Sequence, residues 1–362
     1  MPRMQPSSVS LRAALTALPV YVPGRTVPGA LKLASNESSA PLLPQVQAAV
    51  AAAVAQGNRY PDNGVVALRE LLAGRFGVTA DQIAVGCGSV ALCQQIIQAV
   101  ADAGDEVLYP WRSFEVYPIL TGICGATSVQ VPLRPDQSID LDALADAVTE
   151  RTKVIFLCTP NNPTGTAVGA AELDRFLDRV PPSVLVVVDE AYVEYNDAPD
   201  RLSAQALLQR SNVLLLRTFS KAYGLAGVRV GYAVAADVAV ARAVRHTGVP
   251  FAVSQPAQAA ALASLEPDVE AELLARAGEV VVERGRVHAE LCRLGYPVVA
   301  SRANFVWLPL VSSTVAWAEA CENAGVIVRA FADAGARVTV STADDNTRFL
   351  EAAAVTRTSA GL

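Results

Sequence analysis

Two segments decide the fold: VLVVVDEAYVEY at residues 184–195 and VLLLRTFSKAYGLAGVRVGY at residues 213–232. Each begins with a short apolar run and continues into polar residues; Asp189 closes the first run and Lys221 follows the second. Short all-apolar runs are typical of strands in a parallel sheet that helices cover on both faces. Ligand sites of such sheets lie beyond the carboxyl ends of the strands. We therefore expect Asp189 and Lys221 to stand at the mouth of one crevice.

The alternation of strands and helices extends outward from these segments. Apolar runs predict strands at residues 83–85, 106–109, 127–131, 154–158, 184–189, 213–217 and 228–233. Apolar residues at helical spacing predict helices at residues 42–56, 64–76, 90–102, 141–148 and 172–179. This pattern predicts an α/β fold in which helices sandwich a mostly parallel sheet.

The chain is expected to divide into three parts. Residues 1–45 form an N-terminal arm, which the prolines and glycines of LPVYVPGRTVPGA predict to be extended rather than packed. Residues 46–245 carry the alternating pattern and form the large domain. Residues 246–362 change to a long Ala/Glu/Arg-rich helix at 271–294 and the strand-like runs FVWL and ARVTV. This last part is predicted to be a smaller α+β domain.

Composition narrows the classes of function. The 29 Lys and Arg against 35 Asp and Glu give a net charge of −6, and no basic tract indicates a nucleic-acid partner. The clean apolar stretch at residues 184–188 is too short to span a bilayer, and the start MPRMQPSSVS lacks the apolar region of a signal peptide. Charged residues make up 18%, below the roughly 25% of average domains, so surface is expected to be hidden in an oligomer. We expect a cytoplasmic protein with no membrane partner.

Cysteine and histidine usage argues against disulfides and metals. The six cysteines are scattered without a C-x-x-C pair and are interpreted as reduced thiols. The two histidines, His246 and His288, do not have the spacing of metal ligands, so each is interpreted as an ordinary structural histidine. We expect no metal site and little room for a histidine-based triad.

Lys221 and Asp189 are the first candidates for catalysis. A lysine amine in a crevice forms Schiff bases when burial and neighbouring cations keep it deprotonated, whereas a lone surface lysine has no such role. A carboxylate at the end of an apolar strand needs a cationic or hydrogen-bonding partner. A pyridinium nitrogen is one such partner for Asp189; an arginine or a helix N-terminus is the alternative.

Three further polar groups accompany this pair. The turn NNPTG at residues 161–165 could hold an amide side chain toward a ligand. The segment GCGS at residues 86–89 offers backbone N–H groups and a helix dipole to an anion. Arg229 is a candidate phosphate partner or a structural salt bridge. Each is a weak signal alone, but together they supply the phosphate cradle, amide, acid, lysine and arginine that a pyridoxal-phosphate site requires.

These motifs carry a resemblance to a known family. GCGS, NNPTG, VVVDEAYVEY and RTFSKAYGLAGVRVGY resemble the fold-type I, class II aminotransferases, which use pyridoxal phosphate. Within them the chain is similar to the histidinol-phosphate aminotransferase subgroup. It most resembles the aromatic amino acid (phenylalanine) aminotransferases of actinobacteria, which share LPVYVPG, KLASNE, NRYPDNG, VGCGSV, WRSFE and ANFVWLPL. The resemblance runs from about residue 18 to residue 340.

The resemblance implies roles around the cofactor ring. Lys221 would form the Schiff base and then move the proton between Cα of the substrate and C4′ of the cofactor. Asp189 would pair with the pyridine nitrogen and keep it protonated. Asn162 and Tyr192 would hydrogen-bond the ring O3′, and Phe114 would stack on the ring.

The resemblance also implies contacts to phosphate and substrate. The phosphate would be held by the backbone of Gly88 and Ser89, by Ser220 and Arg229, and with help from Thr218. Tyr60 resembles the tyrosine that reaches the phosphate of the neighbouring subunit's cofactor, which implies a homodimer. Arg337 matches the arginine that clamps the substrate α-carboxylate, a bidentate task suited to guanidinium. Asn36, Tyr21 and Asn162 would line the substrate side.

The implied reaction is transfer of an amino group from an aromatic amino acid to 2-oxoglutarate, with ping-pong kinetics. Two departures from the histidinol-phosphate pattern agree with the aromatic branch: GSVA at residues 88–91 replaces G-S-D-E, and NESS at residues 36–39 replaces N-E-N-P. Transamination of histidinol phosphate is the nearest alternative and needs a cation for the substrate phosphate, such as Arg329 or Arg337. A β-lyase or decarboxylase on the same scaffold is a more distant alternative.

Overall fold

The computed structural model describes residues 9–10, 12, 15–16, 18–21 and 24–361, and its elements follow the predicted alternation. The strands are β1 Leu31–Lys32, β2 Ile83–Gly86, β3 Glu106–Trp111, β4 Thr127–Pro132, β5 Thr152–Cys158, β6 Leu185–Asp189, β7 Val213–Thr218, β8 Gly231–Ala235, β9 Phe305–Leu308, β10 Val326–Ile327, β11 Arg329–Phe331 and β12 Gly335–Thr339. The helices are α1 Pro44–Val54, α2 Val66–Phe76, α3 Gly88–Val100, α4 Val116–Cys124, α5 Leu141–Asp146, α6 Ala170–Arg179, α7 Ala204–Leu207, α8 Val238–His246, α9 Gln255–Ser264, α10 Pro267–Arg293, α11 Thr314–Asn323 and α12 Ala343–Val355.

A seven-stranded sheet with the order β2-β8-β7-β6-β5-β3-β4 organises the larger part of the molecule. Strands β4, β3, β5, β6 and β7 are parallel to their neighbours, whereas β8 runs antiparallel to both β7 and β2. Helices pack on both faces of this sheet. The predicted α/β fold with a mostly parallel sheet is therefore confirmed.

The strand predicted at residues 228–233 differs from the structure. It begins at Gly231, because Arg229 has a φ of 67° and the chain turns before it becomes extended. Its antiparallel direction was not predicted either. A strand that is buried on both faces is apolar throughout in either direction, so its residues do not encode which way it runs.

Strand β6 shows how the sheet separates two cores. All five of its residues are buried; Val186 and Val188 pack into the core on one face, and Leu185 and Val187 into the core on the other. Each fully buried Val or Leu side chain contributes about 1.5–3 kcal/mol through removal of apolar surface from water. The strand end that carries Asp189 is thus held from both sides.

A smaller unit of strands and helices packs beside the main sheet. Strands β11, β12 and β9 form an antiparallel sheet, and its core includes Trp317, Phe349 and Val338. Helix α10 joins the two parts, since Leu273 lies in the core of the main sheet and Leu291 in that of the small sheet. The smaller α+β unit is present, and the boundary predicted at residue 246 stays a prediction.

The end of the predicted N-terminal arm is packed rather than free. Strand β1 pairs in parallel with β10, and Leu33 lies in the core of the small unit. The earlier part of the predicted arm includes residues 1–8, 11, 13–14, 17 and 22–23, which lie outside the described part of the chain. Across the residues that are described, no helix has both the length and the apolarity that crossing a membrane requires.

Candidate active site

A cavity of about 530 Å³ opens at the carboxyl ends of β5, β6 and β7 and is closed on its far side by β12. Twelve of the predicted site residues line it: Tyr21, Asn36, Ser89, Phe114, Asn162, Asp189, Tyr192, Thr218, Ser220, Lys221, Arg229 and Arg337. Gly88 is buried directly behind this lining, at the start of α3. Tyr60 is the exception, and it lies on the surface.

Lys221 extends into the cavity just after the end of β7. Its Nζ donates hydrogen bonds to the backbone oxygens of Ser35 at 3.3 Å and Asn36 at 3.2 Å. Burial, reinforced by the nearby cations Arg337 and Arg229, lowers the pKa of Lys221 to about 7. A substantial fraction of the amine is therefore uncharged near neutral pH, which is the form that attacks carbonyl carbon and accepts protons.

Asp189 ends β6 at the floor of the cavity. Its Oδ2 accepts a hydrogen bond of 2.7 Å from the Tyr117 hydroxyl, and its Oδ1 accepts one of 3.2 Å from the backbone N–H of Ala191. Burial raises the pKa of Asp189 to about 6, against the lowering effect of the Tyr117 hydrogen bond. A buried acid of this kind is stabilised in its charged form by a cation, so a protonated ring nitrogen suits the position.

Asn36 and Tyr192 form a buried hydrogen-bonded pair beside Lys221. The side-chain amide of Asn36 donates to the Tyr192 hydroxyl at 3.0 Å, while Thr339 accepts from the backbone of Asn36 at 2.9 Å. Burial raises the pKa of the Tyr192 hydroxyl well above its ordinary value. Tyr192 consequently stays protonated and has a hydroxyl proton to donate into the cavity.

Arg337 reaches into the cavity from β12. It is buried, and it hydrogen-bonds Oδ1 of Asn162 and, at 2.9 Å, the backbone oxygen of Ala34. Its Nε is buried without a hydrogen-bond partner among the described residues. A guanidinium that is held by neutral acceptors and retains an unused donor is suited to an incoming carboxylate.

The turn before Asn162 is rigid because Asn161 is fully buried and braced. Asn161 accepts a 2.8 Å hydrogen bond from Ser113 and donates to Thr164 at 2.9 Å and to the backbone oxygen of Arg112 at 3.1 Å. The first asparagine of the turn thus anchors it, and the second faces the cavity. The spacing of the NNPTG motif reflects this division of roles.

An anion cradle lies where α3 begins. Gly88 has a φ of 78°, and a Cβ atom at that position would lie 2.3 Å from Nη2 of Arg229. A Cβ at Gly231 would likewise lie 2.6 Å from the backbone nitrogen of Ser89. Arg229 is positioned by bonds to Ser220 at 3.3 Å and to the backbone oxygen of Ala226 at 2.9 Å. Glycines thus keep open a space bounded by N–H groups, a helix N-terminus and a guanidinium.

One stretch of the cavity wall is apolar, and an ion pair lies beside it. Val90, Ile119 and Leu120 line it together with Phe114. Beside them, Arg329 of β11 donates to Glu115 at 2.8 Å.

Tyr60 is not brought to this cavity by its own chain. Its side chain is 83% exposed and stacks on Phe251 with the ring centroids 4.6 Å apart. A role for Tyr60 at a cavity of this kind therefore requires a second copy of the chain.

Comparison with known proteins agrees with this geometry. The family profile described as "Aminotransferase class I and II" matches residues 28–352. The chain belongs to the class I and II aminotransferases. The resemblance inferred from the sequence motifs is therefore confirmed. Membership of this family makes the protein a pyridoxal-phosphate-dependent transaminase.

Individual relatives cover nearly the whole of this aminotransferase. A protein of Rhodococcus jostii named aromatic amino acid aminotransferase is 54% identical over 339 residues, 94% of each chain. A protein of Streptomyces coelicolor with the same name is 54% identical over 353 residues, 96% of this chain and 98% of the other.

Solved structures of other aminotransferases superpose on this chain. One is histidinol-phosphate aminotransferase from Sinorhizobium meliloti in complex with pyridoxal-5'-phosphate, with a TM-score of 0.88 and 27% sequence identity. The superposition covers 97% of this chain and 99% of that chain. An aspartate aminotransferase of Thermus thermophilus has a TM-score of 0.84 at 23% identity, covering 96% and 100%, and shows the shared fold.

Two side chains that contact site residues were not predicted from the sequence. Tyr117 hydrogen-bonds Asp189, and Glu115 pairs with Arg329. The only signal was the spacing of Phe114 and Tyr117, whose rings meet edge to face with centroids 5.6 Å apart. The described residues contain no group of three or more acidic, cysteine or histidine side chains suited to a metal.

Proposed function

We propose that this aminotransferase moves the amino group of an aromatic amino acid to 2-oxoglutarate, with pyridoxal phosphate as its cofactor. The observation that carries the substrate class is the uncharged wall of the cavity, formed by Val90, Ile119 and Leu120 beside Phe114. Removing an aromatic ring from water against this wall is favourable in proportion to the apolar area buried. The names of the relatives that are 54% identical agree with this substrate class.

The residues present fit pyridoxal phosphate. The glycine-lined gap beside Arg229 would hold the phosphate, and the buried carboxylate of Asp189 would hold the ring nitrogen in its protonated form. Asn162 and Tyr192 would hydrogen-bond the ring oxygen, and Phe114 would cover the ring face. When bound, the cofactor supplies an electron-withdrawing ring that stabilises negative charge at Cα of the substrate.

The chain's own residues supply the proton transfer. Nζ of Lys221, whose pKa is lowered to about 7 by burial and by Arg337, accepts the proton from Cα as a general base and would return it at C4′ of the bound cofactor. The hydrogen bonds from Nζ to the oxygens of Ser35 and Asn36 keep the amine inside the cavity between these steps.

Substrate orientation falls to Arg337 and the apolar wall. The guanidinium of Arg337, whose Nε has no partner among the described residues, binds the α-carboxylate. With that end fixed, the side chain extends toward Val90 and Leu120, and Tyr21 of the arm covers it. Holding the carboxylate and the ring together aligns the Cα–H bond with Lys221 and lowers the entropy cost of reaction.

The active form proposed is a cytoplasmic homodimer in which Tyr60 serves the neighbouring subunit. The exposed surface around Tyr60 supports this proposal. The side chain of Tyr60 is 83% exposed, and the large apolar side chains of Val249, Phe251 and Val54 are exposed as well. Contiguous exposed apolar surface, such as the stacked rings of Tyr60 and Phe251, is typical of a site of association.

Histidinol phosphate is the second candidate for the amino donor. The observation that favours it is Arg329, a second arginine on the cavity wall that could bind a substrate phosphate. The structural similarity to a histidinol-phosphate aminotransferase, with a TM-score of 0.88, points the same way. Val90, however, offers the substrate no polar contact.

A single half-reaction distinguishes the two donors. The cofactor-loaded enzyme is mixed with phenylalanine or with histidinol phosphate, without an oxo acid, and the visible absorption of the bound cofactor is followed. We expect rapid loss of the band with phenylalanine and little change with histidinol phosphate. The reverse result would assign the second candidate. Failure of the purified chain to take up the cofactor at all would refute the proposed function, and Lys221→Met, which keeps length but removes the amine, is the control for non-enzymatic reaction.

A further inference from the structure

Two arginines stand side by side on the wall of the cavity. Arg329 and Arg337 are direct partners in the antiparallel ladder of β11 and β12, so their side chains leave the sheet on the same face. Their guanidinium carbons lie 5.5 Å and 5.7 Å from the centroid of the same ring, that of Phe331. Arg112 lies over the same ring at 5.5 Å, but only Arg329 and Arg337 line the cavity.

The partners of these arginines differ in charge. Arg337 is buried, and its hydrogen bonds go to the neutral oxygens of Asn162 and Ala34. Arg329 instead donates to the carboxylate of Glu115 at 2.8 Å, and the two side chains are 15% and 30% exposed. The positive charge of Arg337 thus has no carboxylate partner. The charge of Arg329 is paired with Glu115, whose side chain is partly exposed to solvent.

Charge balance shows the consequence of this pairing. Lys32 is paired with Glu37 at 2.9 Å, and Arg329 with Glu115. An α-carboxylate on Arg337 is then the only negative charge that an aromatic amino acid brings to this end of the cavity. A dicarboxylic oxo acid brings a second one, and burying it unpaired is costly.

We propose that Arg329 binds the distal carboxylate of the oxo-acid acceptor and that Glu115 competes with that carboxylate for Arg329. This inference rests on the proposed function. While an aromatic side chain occupies the cavity, Arg329 stays paired with Glu115. When the acceptor binds, its carboxylate displaces Glu115 toward solvent, so one cavity accepts side chains of different charge.

Two substrate-shaped acids test this proposal without any reaction. Glutarate carries the distal carboxylate, and 3-phenylpropanoate carries the aromatic ring; neither has an amino or oxo group. Calorimetry measures their affinities for the cofactor-loaded enzyme and for Glu115→Gln, Arg329→Gln and the double variant. Glu290→Gln is the matched control, because Glu290 forms an ion pair with Arg293 on the exposed face of α10.

We expect Glu115→Gln to raise the affinity for glutarate relative to 3-phenylpropanoate by about tenfold, the effect of losing one competing charge at close range. Arg329→Gln should lower the same ratio by at least about tenfold. In the Arg329→Gln background, adding Glu115→Gln should change nothing further, because the group for which Glu115 competes is gone. Glu290→Gln should leave both affinities as in the wild type.

Three results would overturn the inference: a glutarate affinity that does not depend on Arg329, a loss of glutarate affinity in Glu115→Gln, or equal changes for both ligands. Failure of the proposed function has a different signature, since the wild-type enzyme would then neither bind 3-phenylpropanoate nor react with phenylalanine. Binding of 3-phenylpropanoate by the variants also reports that they are folded.

Discussion

The chemistry of the Lys221 amine depends on its surroundings. Burial lowers its pKa to about 7, and Arg337 and Arg229 act in the same direction. In an unfolded chain the same amine has a pKa near 10.4. The unfolded state therefore binds one more proton than the folded state between these values, so the cofactor-free protein gains stability as the pH rises through this range.

Replacing Lys221 with Met should stabilise the cofactor-free protein by roughly 4 kcal/mol at pH 7, because the cost of burying an amine that prefers to be charged is removed. The gain should shrink as the pH rises toward 10, where the unfolded lysine also loses its proton. Urea unfolding of both proteins across pH 6–10 measures this difference. A constant difference at all pH values would contradict the prediction.

Tyr117 acts on the reaction through Asp189. Its hydroxyl donates to the carboxylate at 2.7 Å and lowers the pKa of Asp189 against the effect of burial. Hydrogen bonds to charged groups contribute about 1.5–3 kcal/mol. Removing this bond with Tyr117→Phe should raise the pKa of Asp189, and since the charged form is needed, the acidic limb of the pH profile should move up by about one unit.

The test of Tyr117→Phe is the pH dependence of kcat/KM for phenylalanine. Tyr109→Phe is its control, because Tyr109 lies in the same apolar core but its hydroxyl accepts from Gln130 instead. If the acidic limb stays in place in Tyr117→Phe, or moves equally in both variants, Tyr117 has only a packing role.

At the scale of elements, the sequence predicted the spans of several strands closely, both the fully buried β6 and the mostly exposed β4. Strands β6 and β9 match their predicted spans within one residue, because an apolar run of that length has few other solutions. The carboxyl ends of neighbouring parallel strands lie at the same edge of the sheet. For this reason Lys221, Asp189 and Asn162 were expected to lie close together. The contact of Tyr117 with Asp189 could not be predicted, since it depends on where α4 packs across the sheet.

Helix α3 begins at Gly88, where both the backbone conformation and the anion cradle require a residue without a side chain. Gly88→Ala should strain the backbone, which has a φ of 78°, by about 1 kcal/mol or more and displace Nη2 of Arg229 from the phosphate site. We expect the affinity for pyridoxal phosphate to fall at least tenfold, the equivalent of about 1.4 kcal/mol. Titration of the cofactor-free protein, followed by visible absorption, measures the affinity.

Gly74→Ala is the matched control for Gly88→Ala. Gly74 lies in α2, where an added Cβ meets nothing within 4 Å. That change should stabilise the protein by about 0.4–1 kcal/mol and leave cofactor affinity unaltered. Equal cofactor affinity in the two variants would show that Gly88 is not part of the anion cradle.

At the scale of the whole molecule, the site is assembled from parts that are distant in the chain. Lys221 and Asn162 come from the main sheet, Arg337 from the small sheet and Asn36 from the end of the arm. The hydrogen bonds of Lys221 to Asn36 and of Arg337 to Asn162 join these parts. In the proposed homodimer, Tyr60 would extend the same principle beyond one chain, because its own chain leaves it on the surface.

Subunit mixing tests whether Tyr60 completes the neighbouring site. Lys221→Ala has no amine for the reaction, and Tyr60→Ala should hold the cofactor weakly, so at low cofactor concentration each homodimer should be nearly inactive. If Tyr60 acts in trans, a mixed dimer contains one site with both residues intact. Random pairing makes half of the dimers mixed, each with one intact site of two, so unfolding and refolding the two variants together should restore about a quarter of wild-type activity. No recovery would mean that Tyr60 acts within its own subunit, because each site of the mixed dimer then lacks one of the two residues. If Tyr60 has no role at the site, the Tyr60→Ala homodimer is already active before mixing.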